Sequence, residues 1–325
     1  MLVNGKWTAD WQPIQAKDAA GGFVRQTSTF RNWVTADGRP GPTGSGGFPA
    51  EAGRYRLYVG LICPWASRTL AARALMGLED AIPVTVVDPV LGAQGWRFGP
   101  AAPMRDEEID ATWMHEIYTA ADPAVNGRAT VPVLWDRARR TIVNNESADI
   151  LRMLGDGFRG LAAHPVDLYP EPLRADIDAL SERIYPALNN GVYRAGFAST
   201  QGAYEAAYRD VFAMLDDLEA RLSGTGPYLF GAALTETDIR LFVTLVRFDA
   251  AYHGLFKCNQ RRLADYPQLS AYLDRLMAVP ALAGTVSIDH IKRGYYGIGS
   301  LNPNGIVPLG PDLPFPDKAA AFPGT

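Results

Sequence analysis

Cys63 lies in the run Tyr58-Val59-Gly60-Leu61-Ile62-Cys63-Pro64-Trp65-Ala66-Ser67-Arg68, where apolar β-forming residues stop at a cysteine and a proline and alanine-rich sequence follows. The pattern predicts a strand that delivers a thiol to a helix N-terminus, with Pro64 in the first turn, where its missing donor costs nothing. Unpaired N–H groups and the positive end of the helix dipole stabilise a thiolate there, and the thiolate is the nucleophilic form of cysteine. The spacing is Cys-x-x-Ala, ending at Ala66. No second thiol is therefore near enough for an internal disulfide, and a covalent bond made at Cys63 has to be resolved by an outside thiol. Lone cysteines are more often packed core residues. The strand-to-helix junction reverses that preference for Cys63, whereas Cys258, in Phe256-Lys257-Cys258-Asn259, has no such setting and reads as structural.

Composition narrows the rest. Two cysteines in 325 residues give no disulfide framework and suit a reducing compartment. A chain of this length with 47% hydrophobic residues buries a sizeable core and favours two domains. A net charge of -4 gives no reason to expect nucleic acid or an anionic membrane as partner. His115, His164, His253 and His290 are scattered without ligand spacing, so no metal site is expected. The start, Met1 to Asp10, has no apolar segment behind a basic stretch, and no run of about 18 apolar residues follows, so a soluble, cytoplasmic protein is expected.

The elements that must position Cys63 follow from periodicity. A Gly- and Pro-rich stretch over 35–53 predicts an irregular arm, residues 1–53. Tyr55 to Val59 reads as a strand, Trp65 to Met76 as a helix, Ile82 to Val87 as a second strand, and Asp106 to Ala120 as a loop with a helical segment. Val131 to Trp135 and Thr141 to Asn145 form an antiparallel pair around the turn at Asp136 to Arg140, and Glu146-Ser147 opens another helix. The order β-α-β-α-β-β-α is that of a thioredoxin-like domain, here 54–165. After Pro170 the period becomes helical. Leu173, Ile177, Leu180 and Ile184 share one face, as do Tyr204, Tyr208, Val211, Leu215, Leu218 and Leu222. Thr235-Glu236-Thr237-Asp238 has capping-box spacing and starts a third helix through Phe248, and Tyr266-Pro267-Gln268 starts a fourth that ends near Val279-Pro280. An all-helical domain over 166–293 and an extended tail over 294–325, with its last nine or so residues disordered, complete the expected fold class: α/β plus all-α.

A thioredoxin-like domain followed by an all-helical one resembles the glutathione transferase superfamily. Four separated motifs narrow the resemblance: Cys63-Pro64-Trp65-Ala66, Thr130-Val131-Pro132-Val133-Leu134-Trp135-Asp136, Ile142-Val143-Asn144-Asn145-Glu146-Ser147, and Asn302-Pro303-Asn304-Gly305-Ile306-Val307-Pro308. Together they resemble the glutathionyl-hydroquinone reductases, the Xi-class transferases, from about Phe23 to Pro311. The resemblance implies glutathione as co-substrate, a homodimer, and a cis-proline turn at Val131-Pro132 whose backbone meets the cysteinyl part of glutathione. It also implies that Trp96 and the stretch Arg128, Ala129, Thr130, Val131 contact glutathione, with Arg128 suited to the glycine carboxylate. Glu146 and Ser147 would hold the γ-glutamyl end, although an N-cap explains the same two residues. Tyr193 matches the family's proton donor and acceptor, and Tyr252 and Tyr295 match tyrosines that face the active cysteine and lower its pKa. The chain departs from the family pattern at Ser67 and Gly294, where histidines are usual, and in the short segment Gly297 to Leu301.

The chemistry that this resemblance implies is attack of the Cys63 thiolate on the sulfur of a glutathionyl hydroquinone, with Tyr193 supplying a proton to the departing aryl carbon. A second glutathione would then release the enzyme as glutathione disulfide. The alternatives are an Omega-type monothiol transferase or dehydroascorbate reductase, which the three tyrosines and the long tail oppose, and a non-catalytic binding module, which a reactive Cys63 would exclude.

Overall fold

A computed structural model of the chain describes residues 1–8, 16–99, 106–224 and 226–313. The chain forms two compact units. The first takes residues 1–8 and 26–166 among those described, and the second takes 16–25 and 167–313.

In the first unit, β1 (Leu2–Val3) and β2 (Lys6–Trp7) form a short antiparallel ribbon, and β3 (Trp33–Thr35) pairs in parallel with β4 (Gly47–Pro49). The arm expected to be irregular thus contains two small strand pairs. The main sheet comprises β5 (Tyr55–Val59), β6 (Val84–Val86), β7 (Val133–Asp136) and β8 (Thr141–Asn144) in the order β6-β5-β7-β8. Strands β5 and β6 are parallel, because a helix, α1 (Pro64–Leu75), forms their crossover, while β7 runs antiparallel to both β5 and β8. Tyr55, Leu57, Tyr58 and Val59 are all buried, and the one charge in β5, half-buried Arg56, donates to Glu108 Oε1 at 2.9 Å, so the strand otherwise reads as apolar. The β7–β8 turn is organised by buried Asp136, which accepts from the Ala138 N–H at 2.9 Å and from Arg54 Nη2 at 2.7 Å.

Within the loop and helical segment expected over Asp106 to Ala120, the helix is α2, Met114–Ala121. Asp106 prevents an earlier start, because its Oδ2 accepts from the Glu108 and Ile109 N–H groups and its Oδ1 from Tyr58 Oη, so the side chain competes with the helical ladder. Asp110 has φ 59°, outside the right-handed helix region. The second strand is trimmed from Ile82–Val87 to Val84–Val86. Helix α3 (Ser147–Arg152) opens at Glu146 as expected and runs into a π turn, Met153–Gly157.

The second unit is helical. It contains α4 (Arg174–Ile184), a π turn Tyr185–Asn189, α5 (Gly191–Gly196), α6 (Gln201–Leu222) and α7 (Glu236–Arg247), followed by a π turn Phe248–Tyr252, α8 (Pro267–Met277), α9 (Pro280–Ala283) and α10 (Ile288–Tyr296). Ile177, Leu180 and Ile184 of α4 and Val211, Leu215, Leu218 and Leu222 of α6 are buried, as the period predicts. The capping box forms at Thr235, whose N–H and hydroxyl both donate to Asp238 Oδ2 at 2.8 Å.

The extended tail expected from Gly294 begins later. Ser287 Oγ accepts from the His290 N–H at 3.1 Å and starts α10, which carries Gly294 and Tyr295 as helical residues to Tyr296. From 297 to 313 the chain has neither helix nor strand, and Asn302 Nδ2 donates to the Tyr296 and Ile306 carbonyls. The residues expected to be disordered at the C-terminus lie outside the described ones. Among the described residues no helix is long and apolar enough to cross a membrane.

Candidate active site

Cys63 occupies the junction that its sequence predicts. The turn after β5 closes with a bond from the Cys63 N–H to the Gly60 carbonyl at 2.9 Å, and Cys63 then becomes the N-cap of α1 with extended backbone, φ -77° and ψ 117°. Pro64 follows at the first helical position, and the Cys63 side chain makes no capping bond. The half-buried thiol therefore stands at the start of a twelve-residue helix without being consumed as its cap, a setting that favours negative charge on sulfur. Its Sγ lies 3.6 Å from the Val131 carbonyl oxygen, and the Val131–Pro132 peptide is cis, as the motif implies. Cys63 and Val131 are thus brought together from sequence positions far apart.

The other first-unit candidates sit on three loops. Thr130 is fixed by Tyr118 of α2, whose hydroxyl donates to the Thr130 carbonyl at 3.0 Å and accepts from its N–H at 3.2 Å. Asn145 Nδ2 donates to the same hydroxyl at 3.0 Å, so one buried phenol ties the Thr130 loop to the residue before Glu146. Burial pushes the Tyr118 pKa up, which keeps the phenol neutral in this role. Sequence reasoning missed Tyr118, which lies in the segment read only as a loop with a helical stretch. Glu146 Oε1 caps α3 by accepting from the Ala148 N–H at 3.2 Å, and Oε2 accepts from the Ser28 hydroxyl at 3.0 Å. The N-cap explanation is therefore realised, and the half-buried carboxylate keeps further acceptor capacity for a ligand amine. Ser147 is buried in the first turn. Arg128 and Ala129 are half-buried in the loop before Thr130, with the Arg128 N–H donating to Gln26 Oε1 at 3.2 Å.

Trp96 is half-buried on a separate loop, held where its carbonyl accepts from the Met114 N–H at 2.9 Å. The N-terminal ribbon braces both the Arg128 loop and the start of α2. Leu2 exchanges backbone bonds with Gly127, at 2.7 and 3.0 Å, directly before Arg128, and Trp7 stacks on His115 at 4.9 Å, with His115 in turn paired to Gln94 at 2.9 Å.

In the second unit the three singled-out tyrosines meet. Tyr193 of α5 and Tyr295 of α10 have hydroxyls 2.5 Å apart, and Tyr295 is 2.9 Å from the hydroxyl of Tyr252, at the end of a π turn. Tyr252 and Tyr295 are buried, which pushes both phenols well above the ordinary tyrosine range, while Tyr193, at the end of this row of hydroxyls, is half-buried. Phe197 and Phe256 complete an aromatic cluster around them. Gly196 is required for that packing, because a Cβ there would lie 2.4 Å from the Phe256 ring. Sequence reasoning also missed Phe23 and Arg25, which pack against Tyr193 from the arm.

Comparison with known proteins decides the family. The glutathione S-transferase N-terminal domain model matches residues 62–156 and the C-terminal domain model matches 201–275. The chain is 47% identical over 318 residues to the glutathionyl-hydroquinone reductase PcpF of Sphingobium chlorophenolicum, covering 97% of each chain. It is 47% identical over 313 residues to the Escherichia coli glutathionyl-hydroquinone reductase YqjG, covering 95% of this chain and 94% of that one. Glutathione-bound YqjG superposes with a TM-score of 0.87 over 96% of both chains, and the glutathione-S-transferase Xi of Phanerochaete chrysosporium with 0.87 over 94% of this chain and 98% of that one, each at 45% identity. The chain belongs to the Xi class of glutathione transferases.

In this Xi-class transferase the thioredoxin-like domain carries the thiol and the helical domain carries the phenols. Cys258 is fully buried, and burial pushes its thiol up to about 12, which leaves it chemically silent. Among the described residues no group of three or more His, Cys, Asp and Glu side chains is arranged to hold a metal ion.

Proposed function

We propose that this transferase reduces S-glutathionyl hydroquinones to hydroquinones with glutathione. The Cys63 thiolate attacks the sulfur of the thioether, the carbon–sulfur bond breaks, and Tyr193 gives its proton to the aryl carbon. The products of this half are a Cys63–glutathione mixed disulfide and the free hydroquinone. A second glutathione attacks the mixed disulfide, regenerates the Cys63 thiol and leaves as glutathione disulfide. Trp96, Arg128, Ala129, Thr130, Val131, Glu146 and Ser147 form the glutathione site, and Tyr252 and Tyr295 act with Tyr193. The protein works as a cytoplasmic homodimer.

The observation that carries this reading is the hydroxyl chain Tyr252–Tyr295–Tyr193, which ends at a half-buried phenol. Disulfide exchange needs no proton donor of that kind, because a thiolate leaves readily near neutral pH, whereas an aryl carbanion does not. Chromatography of the products from glutathione and a panel of glutathionyl hydroquinones tests it. Hydroquinone and glutathione disulfide in equal amounts are expected. Turnover of simple glutathione mixed disulfides with none of the thioethers would replace this reading by the Omega-type one.

A further inference from the structure

The arm segment that packs in the second unit places a guanidinium over the ring of Tyr193. Arg25 Cζ lies 4.8 Å from the Tyr193 ring centroid and 5.2 Å from that of Phe23, within the reach of a cation–π contact. Its Nε donates to Asn190 Oδ1 at 2.8 Å, and Asn190 also starts the helix that bears Tyr193, its carbonyl accepting from the Arg194 N–H at 2.9 Å. One side chain therefore contacts both the ring and the N-cap residue of its helix, across 165 positions of sequence.

The segment that presents Arg25 is itself held. The Ser199 N–H donates to the Gly21 carbonyl at 3.0 Å, and the Thr200 hydroxyl donates to the Ala20 carbonyl at 2.7 Å. Gly21 has φ 85°, and a Cβ there would lie 2.6 Å from the Thr200 side chain, so the close approach depends on glycine. Other cations in the neighbourhood have different engagements. Arg194 turns to Asp210 at 2.9 Å, and buried Arg247 donates to the Val243 carbonyl at 2.7 Å while its charge acts on Tyr252 and Tyr295.

We infer that Arg25 is a positioning residue for the proton transfer, holding the Tyr193 ring and stabilising negative charge as it develops on the phenol oxygen. The inference rests on Tyr193 being the proton donor. As the proton passes from the Tyr193 hydroxyl to the aryl carbon, the ring gains a charge that the neutral phenol lacked, so the attraction to the cation grows along the reaction coordinate and lowers the barrier. The phenolate regains its proton from water after the hydroquinone departs. Reduction of a small glutathione mixed disulfide makes no such demand.

The test compares Arg25→Met, Arg25→Lys, Tyr193→Phe and the Arg25→Met/Tyr193→Phe double variant on a glutathionyl hydroquinone and on a small glutathione mixed disulfide, with thermal melts on each protein. Arg25→Met is expected to lower kcat on the thioether about tenfold and on the disulfide by less than about threefold, with Arg25→Lys recovering part of the loss. In the Tyr193→Phe background the Arg25 change should add little, since the group it acts through is gone. Equal slowing of both substrates by Arg25→Met, or full additivity in the double variant, overturns the inference while the proton-donor reading stands. Undiminished thioether turnover by Tyr193→Phe overturns both.

Discussion

The hydroxyl oxygens of Tyr193 and Tyr295 lie 2.5 Å apart, so the more exposed end of the phenol chain is bonded to a buried neighbour and not to solvent alone. Tyr295 is the middle member, with Tyr252 on its other side at 2.9 Å. A hydroxyl in that position can donate to one partner while accepting from the other, which orients the whole chain.

Tyr193→Phe is expected to cut turnover of a glutathionyl hydroquinone by roughly 10²- to 10⁴-fold, the usual contribution of positioned acid catalysis, while reduction of a small glutathione mixed disulfide changes by a few-fold at most. Tyr295→Phe removes the shared partner and should slow the thioether reaction less than Tyr193→Phe does. Steady-state assays of both substrates on the same preparations check this. Equal slowing of the two substrates by Tyr193→Phe would make its role structural.

Glu146 caps α3, and in the proposed reading it also binds glutathione. Glu146→Gln keeps an acceptor for the Ala148 N–H and should leave the melting temperature nearly unchanged, yet raise the KM for glutathione by about 30-fold or more, since losing one side of a charged contact typically costs about 2 to 5 kcal/mol. Glu146→Ala should add a helix-cap loss of about 1 kcal/mol to the same KM effect. An unchanged glutathione dependence in both variants would remove this residue from the site.

The parts of this architecture set by local pattern were legible in the sequence. Tyr55–Val59, the Cys63-Pro64 helix start, the Glu146 cap and the Thr235 capping box each follow from side chains within a few residues of one another. The last turn of α10 was not legible, because Gly294 and Gly297 weaken the helical pattern there, and the Ser287 cap with the packing of Ile291 and Tyr295 overrides them. The links from Arg25 to Asn190 and from Tyr118 to Thr130 and Asn145 join distant segments, and no periodicity announces such partners. The tyrosines themselves were singled out by resemblance, and their mutual bonding became visible only in three dimensions.

Stability of the helical unit depends on Asp238, which is fully buried and accepts from the Leu229 N–H at 3.0 Å, the Thr235 N–H and hydroxyl at 2.8 Å, and the Tyr272 hydroxyl at 2.7 Å. Asp238→Ala leaves these donors buried without their acceptor and should destabilise by about 3 to 5 kcal/mol, measured by denaturant unfolding. A loss below about 1 kcal/mol would show that water replaces the carboxylate.

Cys258 should resist alkylation by iodoacetamide at pH 8 until the protein is unfolded, because burial holds its thiol up to about 12. The folded state keeps a proton that the unfolded chain releases above about 9, so this group's contribution to stability is fully present below that value and falls as pH rises towards 12. Cys258→Ala should flatten that part of the alkaline stability profile, and an unaltered profile would argue against the buried thiol as its source.

The central claim is that Cys63 alone carries the covalent step. Intact-protein mass spectrometry with peptide mapping, after treatment with a glutathionyl hydroquinone in the absence of excess glutathione, reads it directly. One glutathione adduct on Cys63 is expected, released by added glutathione, absent in Cys63→Ala and retained in Cys258→Ala. Hydroquinone formation by Cys63→Ala, or an adduct that maps to Cys258, would contradict the account.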